Sequence, residues 1–247
     1  MDHQQLLDVI DREAAALVTA ARAVGPMAAV PATPAWTMAK LVKHTGTTHR
    51  WVLGVAEARA FVSPADLDLA LPAAEDDYPD WFAAGAVQLV ETLRGIEPDA
   101  DMWSWGPDQH ARFWSRRMAH ETTVHRWDAE SALGGSGSIA TAVAIDGIDE
   151  RLTNLTASLN FRPDDLAALV GNGESVHLHV TDGDGEWLLR FAPEGLELSR
   201  EHAKGDVAVR GSAQDLLLYV IGRRGLEGLA VFGDAAVLES RDAMRMF

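Results

Sequence analysis

The segment Arg116-Arg117-Met118-Ala119-His120-Glu121-Thr122-Thr123-Val124-His125-Arg126-Trp127-Asp128 is the part of the chain richest in side chains capable of chemistry. It falls just outside the H-E-x-x-H pattern of zinc proteases, because one residue too many separates the glutamate from the second histidine. On a helix, His120 and His125 are about 140° apart and cannot chelate together; Glu121 and His125 are about 40° apart and share a face. Trp114 and Met118 fall on that same face, which therefore turns inward. Arg117 lies within about 40° of Glu121, and Asp128 within about 60° of His125. A buried stripe of Glu, His, Arg and Asp is costly unless its charges are matched. Two arrangements match them. One is an ion-pair network, with Arg117 on Glu121 or Asp128 and His125 as a satisfied core histidine. The other is a metal pair, Glu121 and His125, with Asp128 fixing the His125 tautomer and Arg117 balancing charge. Spacing alone leans toward the network.

Bundles build metal sites from facing helices, so a third ligand would come from another helix. The helix that Thr37 can cap, running to about Phe61, offers His44 and His49, again about 140° apart. Its inward positions Met38, Leu41, Val42, Thr45 and Val52 put His49 nearer the centre of the face and His44 at its edge. The helical wheel mildly prefers His49 and does not decide. His3, His110, His177, His179 and His202 fall at exposed or strand-face positions and receive no role.

Further elements position these residues. Leu6, Leu7, Ile10, Ala14, Leu17, Val18, Ala21 and Val24 follow the 3.6-residue period of a helix over 2–24, with Asp2 as cap and Gly25-Pro26 as stop. Pro31, Pro34 and Trp36 make a stiff connection. Residues 64–79 read as a polar, acidic loop. A third helix is expected from about Pro79 to Leu93, a fourth from Asp108 to Leu133 and a fifth from Ser138 to Leu159. The run Gly134-Gly135-Ser136-Gly137 follows a helix and lacks the Walker lysine, so it reads as a linker and not a phosphate loop. Beyond residue 160 the period changes to two: Val176, Leu178 and Val180 alternate with His177 and His179. Asp182-Gly183-Asp184-Gly185 reads as a hairpin turn, since a calcium loop's closing glutamate is missing. Strands follow over 187–191, 196–198 and 207–209, then a helix over 213–221 capped by Ser212. The segment 230–238 reads as a strand or hairpin around Gly233-Asp234. Seven of the eight tryptophans lie at or before Trp127, which marks two differently built cores. The fold class is α+β: a helical bundle over 1–160 and a small α+β domain over 161–247.

Composition excludes several functions. The chain of 247 residues carries a formal charge of −16 spread over both parts, so it lacks the broad basic face that nucleic acid or an acidic membrane surface requires. No apolar run approaches a membrane span, and the acidic start MDHQQLLDVIDRE is unlike a signal peptide, so a cytoplasmic location is expected. There is no cysteine. The chain therefore offers no disulfide, no thiolate ligand and no thiol nucleophile, and any sulfur chemistry must bring its thiol on a small molecule.

Four stretches in order carry a family resemblance over nearly the whole chain. Thr33-Pro34-Ala35-Trp36-Thr37-Met38-Ala39-Lys40-Leu41-Val42-Lys43-His44 resembles the P-x-W-x-x-x-x-L-V-x-H segment of the mycothiol-dependent maleylpyruvate isomerase family, among the DinB-like helical bundles. Ala35 stands where a glycine commonly precedes that tryptophan. Arg117 to Asp128 resembles the family's E-x-x-x-H segment. Leu218-Tyr219-Val220-Ile221-Gly222-Arg223-Arg224-Gly225 is similar to its Y-x-x-G-R segment, and Val231-Phe232-Gly233-Asp234-Ala235 to the end of its small sterol-carrier-protein-like C-terminal domain. The resemblance implies metal ligands at His44, Glu121 and His125, an arginine implicated in activity at Arg223, a divalent metal (zinc foremost) and the actinobacterial thiol mycothiol as cosubstrate. It implies cis–trans isomerisation or S-transfer on a small electrophilic substrate. It places no substrate contact in loop 64–79. Two other readings remain at this stage: a non-catalytic small-molecule binding protein, and a metal-dependent hydrolase using bound water. The bundle could form a homodimer, and the sequence does not fix whether it does.

Overall fold

The structure is a computed structural model that describes residues 1–135, 137–158 and 169–241. The chain divides into two compact units, Met1–Ser138 and Ile139–Phe247.

In the first unit, helices α1 (His3–Val24), α2 (Met38–Ala58), α3 (Tyr78–Arg94) and α4 (Ala111–Ser131) form a bundle. The start of α1 is fixed by a reciprocal cap: Gln5 N–H donates to Asp2 Oδ1 at 2.8 Å and Asp2 N–H to Gln5 Oε1 at 2.9 Å. Thr37 caps α2 as expected, accepting from Lys40 N–H. The connection between α1 and α2 is tied to itself: Val30 N–H donates to Trp36 O, Trp36 N–H to Thr33 O, and Met38 N–H to Ala28 O. Trp36 is thereby held at the mouth of α2. Residues 64–79 contain two 3-10 turns, Pro64–Asp66 and Glu75–Asp77, and α3 begins at Tyr78.

Helix α4 is buried on nearly every side, from Phe113 through Ala129, with only Arg116 partly exposed. Trp114 is fully buried in an aromatic cluster with Phe113, Trp51 and Trp103, and its indole N–H donates to Trp103 O at 2.7 Å. This early concentration of tryptophan builds the bundle core. A helix buried all round must find a partner for each of its charges; Arg126, for example, pairs with Glu13 of α1 and Glu130.

The second unit contains α5 (Thr141–Thr153), α6 (Leu155–Ser158), β1 (Glu174–Val180), β2 (Glu186–Ala192), β3 (Gly195–Ser199), β4 (Val207–Gly211), α7 (Ala213–Val220), β5 (Ala230–Gly233) and α8 (Ala236–Glu239). The sheet order is β3-β2-β1-β4-β5, with β1 and β4 parallel and the other neighbours antiparallel. The buried Val176, Leu178 and Val180 share one sheet face; His177 and His179 lie on the other. Two details differ from the sequence expectation. The boundary falls at 138/139 and not at 160, because α5 packs on α7 and is bonded into this unit: Trp187 Nε1–H donates to Asp149 at 3.0 Å and Arg200 to Thr153 at 2.6 Å. Of the strand or hairpin expected over 230–238 the structure has the strand, β5, and the remainder is the short helix α8, because Asp234 accepts from Ala236 N–H and starts a helical turn. The expected end of the fifth helix, Leu159, lies outside the described residues.

Packing of α2 on α3 sets where α2 presents its histidines. The Trp81 ring lies over Gly46, where a Cβ would overlap it, and Arg50 sits 3.8 Å above the same ring while donating to Trp81 O at 2.7 Å. Replacing Gly46 by alanine would force a rigid ring to move. Urea denaturation should show Gly46→Ala destabilised by about 1–3 kcal/mol, as for overpacked cores.

Candidate functional site

Glu121 lies in the middle of α4, 8% exposed. Its two oxygens have separate work. Oε2 accepts from Arg117 Nη2, one turn earlier, at 2.9 Å. Oε1 faces two imidazoles: His125 Nε2 at 3.1 Å, one turn later, and His44 Nε2 at 3.3 Å, from α2. The ligand-capable atoms of His44, Glu121 and His125 all lie within 4.8 Å of one another. On its other side, His125 Nδ1 bonds Asp128 Oδ2 at 3.0 Å, with Asp128 fully buried.

The helical arithmetic thus places Arg117, Glu121, His125 and Asp128 together, and α2 contributes His44 and not His49. The wheel's preference for His49 locates the core correctly but not the site. His49 is completely buried, 5.2 Å from the Phe82 ring. Its Nε2 bonds Thr122 Oγ1 at 2.8 Å, while that hydroxyl donates to Met118 O. Nε2 therefore carries the proton, and buried Nδ1 has no hydrogen bond. His44, at the edge of the inward face, keeps a side chain 43% exposed and gives the group its access to solvent. Arg223 belongs to the second unit, half-buried in the turn after α7 that Gly222 permits at φ 71°.

Trp36 is the residue whose contribution the pattern did not reveal. Its ring stacks on His125 at 6.0 Å between centroids and tilts against His44 at 4.9 Å, while His44 and His125 meet edge-on at 4.9 Å. The indole walls the histidine pair on one side. Its sequence signals were its place in the stiff proline-flanked connection and in the P-x-W-x-x-x-x-L-V-x-H segment of the resemblance, neither of which says that its ring meets the histidines.

Charge accounts for the electrostatics. Burial alone would raise the Glu121 carboxyl, but the His125 charge, hydrogen bonds from His125 and His44, and Arg117 outweigh it and hold Glu121 well below the usual carboxylate range. Burial would lower His125; Glu121 and Asp128 together raise it to about 9. Among the described residues, Arg117 answers one of the two buried carboxylates, Glu121 and Asp128, and an imidazolium proton on His125 answers the negative charge that is left. A cation between the three ligand atoms would answer it equally well, with Asp128 holding the Nδ1 proton so that Nε2 presents its lone pair. The donor set of two imidazoles and one carboxylate fits a divalent ion of the zinc type with a free coordination position.

Comparison with known proteins follows the same division. The Mycothiol maleylpyruvate isomerase N-terminal domain profile matches residues 7–130, and the MDMPI C-terminal domain profile matches 142–240. The chain belongs to the mycothiol-dependent maleylpyruvate isomerase family. The crystal structure of a mycothiol-dependent maleylpyruvate isomerase aligns over 94% of this chain and 93% of that one, with a TM-score of 0.58 at 14% identity. A histidine-to-alanine mutant of that isomerase aligns equally, so the two-part fold is shared. A match to the UbiJ-SCP2 ubiquinone synthesis protein covers 33% of this chain and 75% of the other at 20% identity; its TM-score of 0.26 is too low to bear on the fold. No curated protein matches the chain in sequence. No helix among the described residues is long and apolar enough to cross a membrane.

The two buried histidines respond to pH in opposite senses. Burial lowers His49 to about 4, so protons that the unfolded chain takes up below 6.5 are refused by the folded one. Its contribution is present above pH 6.5 and is lost as pH falls toward 4, by about 3 kcal/mol at the acid end. His125, raised to about 9, contributes below 6.5 and loses that contribution as pH rises through 9. Metal-free His49→Gln should therefore lose less stability than the parent between pH 6.5 and 4 in urea titrations. Parallel pH dependence in the two would contradict the assignment.

Proposed function

We propose that the protein is a metal- and mycothiol-dependent enzyme that activates a low-molecular-weight thiol for cis–trans isomerisation or S-transfer on a small electrophilic substrate. The observation that carries this is the convergence of His44 Nε2 and His125 Nε2 on a single oxygen of the buried Glu121. Membership of the family supports the thiol, and the absence of cysteine requires that the thiol come from outside the chain.

His44, Glu121 and His125 would hold the metal. When bound, a divalent ion lowers the pKa of a thiol or water that reaches it. Asp128 holds the proton on His125 Nδ1 and so fixes which nitrogen faces the site. Arg117 keeps the Glu121 carboxylate charged and oriented through Oε2. Trp36 shields the imidazole pair on one side, while exposed His44 marks the open side. Arg223 serves as the partner of an anionic group on the substrate or on mycothiol, a charge-assisted hydrogen bond. Addition of the thiol sulfur to an activated double bond, rotation about the resulting single bond and re-expulsion of the thiol would give the isomer. Retention of the sulfur would give transfer.

Metal content after purification and mycothiol-dependent turnover test this reading. Glu121→Ala and His125→Ala should each lose bundle-bound metal and at least 100-fold in thiol-dependent turnover. Arg223→Ala should keep its metal and raise KM by about 10–100-fold, the weight of a charged hydrogen bond. Turnover that is unaffected by omitting the thiol would point to hydrolysis by bound water. Full metal occupancy and full turnover in both Glu121→Ala and His125→Ala would overturn the site.

A further inference from the structure

Three histidines given no role by the sequence pattern come together in the second unit. His177 and His179 are two apart on β1 and share a sheet face. Glu186 opens β2 and is the direct antiparallel partner of His179. His202 follows β3 and reaches the same point. His179 Nδ1 lies 2.8 Å from Glu186 Oε1, and His202 Nδ1 lies 2.6 Å from Glu186 Oε2. His177 Nε2 lies 3.3 Å from Oε2. One ligand-capable atom from each of the four residues lies within 4.8 Å of the others.

An ion-pair cluster accounts for this group only in part. His177 is 5% exposed, and its Nε2 is buried without a hydrogen bond, because its approach to Glu186 lacks bonding geometry. That nitrogen is aimed at Glu186, the carboxylate it shares with His179 and His202. Neutral imidazoles present lone pairs, which a cation satisfies.

We propose that His177, His179, Glu186 and His202 form a second binding site, for a divalent transition metal, on the sheet face opposite Val176, Leu178 and Val180. Three imidazole nitrogens and one carboxylate oxygen select zinc, nickel, cobalt or copper over calcium or magnesium, which take oxygen ligands. Four protein ligands close a tetrahedral shell, the pattern of a structural and not a catalytic centre. At metal–ligand distances of about 2.0–2.2 Å the ligand atoms stand roughly 3.3–3.5 Å apart, so the group needs a modest rearrangement, in which the His179 and His202 contacts to Glu186 open and the wider separations, all within 4.8 Å, close. His202, with a side chain 80% exposed, has the freedom to supply it. Arg210 opposes the binding. It pairs in register with His179 across β1 and β4, and its Nη2 donates to His179 Nε2 at 3.3 Å. That contact places the His179 proton on Nδ1, the nitrogen facing Glu186, where the metal needs a lone pair. Arg210 is exposed and can swing away, but it sets the affinity lower than the ligands alone would.

The test is zinc titration of the full chain at micromolar concentration, with bound metal counted by atomic emission. The parent should bind two zinc ions, and His202→Ala and His179→Gln should each bind one, or bind the second at least tenfold more weakly. Arg210→Ala should tighten the second ion several-fold, which a purely structural ion-pair cluster would not produce. His202 lies at the surface, so His202→Ala should leave the circular dichroism unchanged. If the bundle site binds no metal but this one does, the parent binds one ion and His202→Ala none. If the parent binds one ion and both His202→Ala and His179→Gln still bind it unweakened, the sheet site is refuted and the bundle site stands.

Discussion

A carboxylate placed in the middle of a fully buried helix must be met by positive charge from within the protein. Glu121 is that carboxylate, and the bundle around it follows from the requirement. Arg117 answers one oxygen from the turn before, His125 answers the other from the turn after, and His44 reaches the same oxygen from the neighbouring helix. Asp128 adds a second buried negative charge behind His125, which a proton on His125 offsets and a cation among the three inner atoms would offset equally well. The aromatic cluster around Trp114 keeps α4 dry on its other sides. Water therefore has little access with which to screen the charges.

The same buried charges make the group an ion-pair network that is also a candidate site for a metal ion. The two readings that the spacing left open are not exclusive. Arg117 and Asp128 occupy the outer atoms of the group and leave the inner atoms, Glu121 Oε1 and the two Nε2 nitrogens, facing one another. Charge pairing gathers the three candidate ligand atoms at one point.

Much of this was legible in the sequence because helical geometry is local. The i,i+4 spacing of Arg117, Glu121 and His125 and the i,i+3 spacing to Asp128 determine a shared face without any knowledge of the rest of the fold. The alternation in β1, the caps Asp2, Thr37 and Ser212, and the division into helical and mixed parts were legible for the same reason. What was not legible depends on contacts distant in sequence. The helical wheel finds the centre of an apolar face, which is where a silent core histidine such as His49 belongs; His44, which reaches Glu121 while keeping its solvent exposure, sits at the edge. The family resemblance, and not periodicity, selected it. The stacking of Trp36 and the gathering of His177, His179 and His202 on Glu186 each need a tertiary turn or a strand register that no local pattern encodes. The unit boundary was misplaced because helical periodicity assigns α5 to the bundle, while its packing on α7 assigns it to the sheet unit.

The most direct test of the central claim is the X-ray absorption spectrum of zinc in the protein carrying His202→Ala, which leaves the bundle as the site under observation. The account predicts two imidazole nitrogens and a carboxylate oxygen at about 2.0–2.2 Å, with a sulfur scatterer at about 2.3 Å entering when mycothiol is added. A zinc shell of water oxygens alone, or one with imidazoles that persists unchanged in His125→Ala, would contradict it.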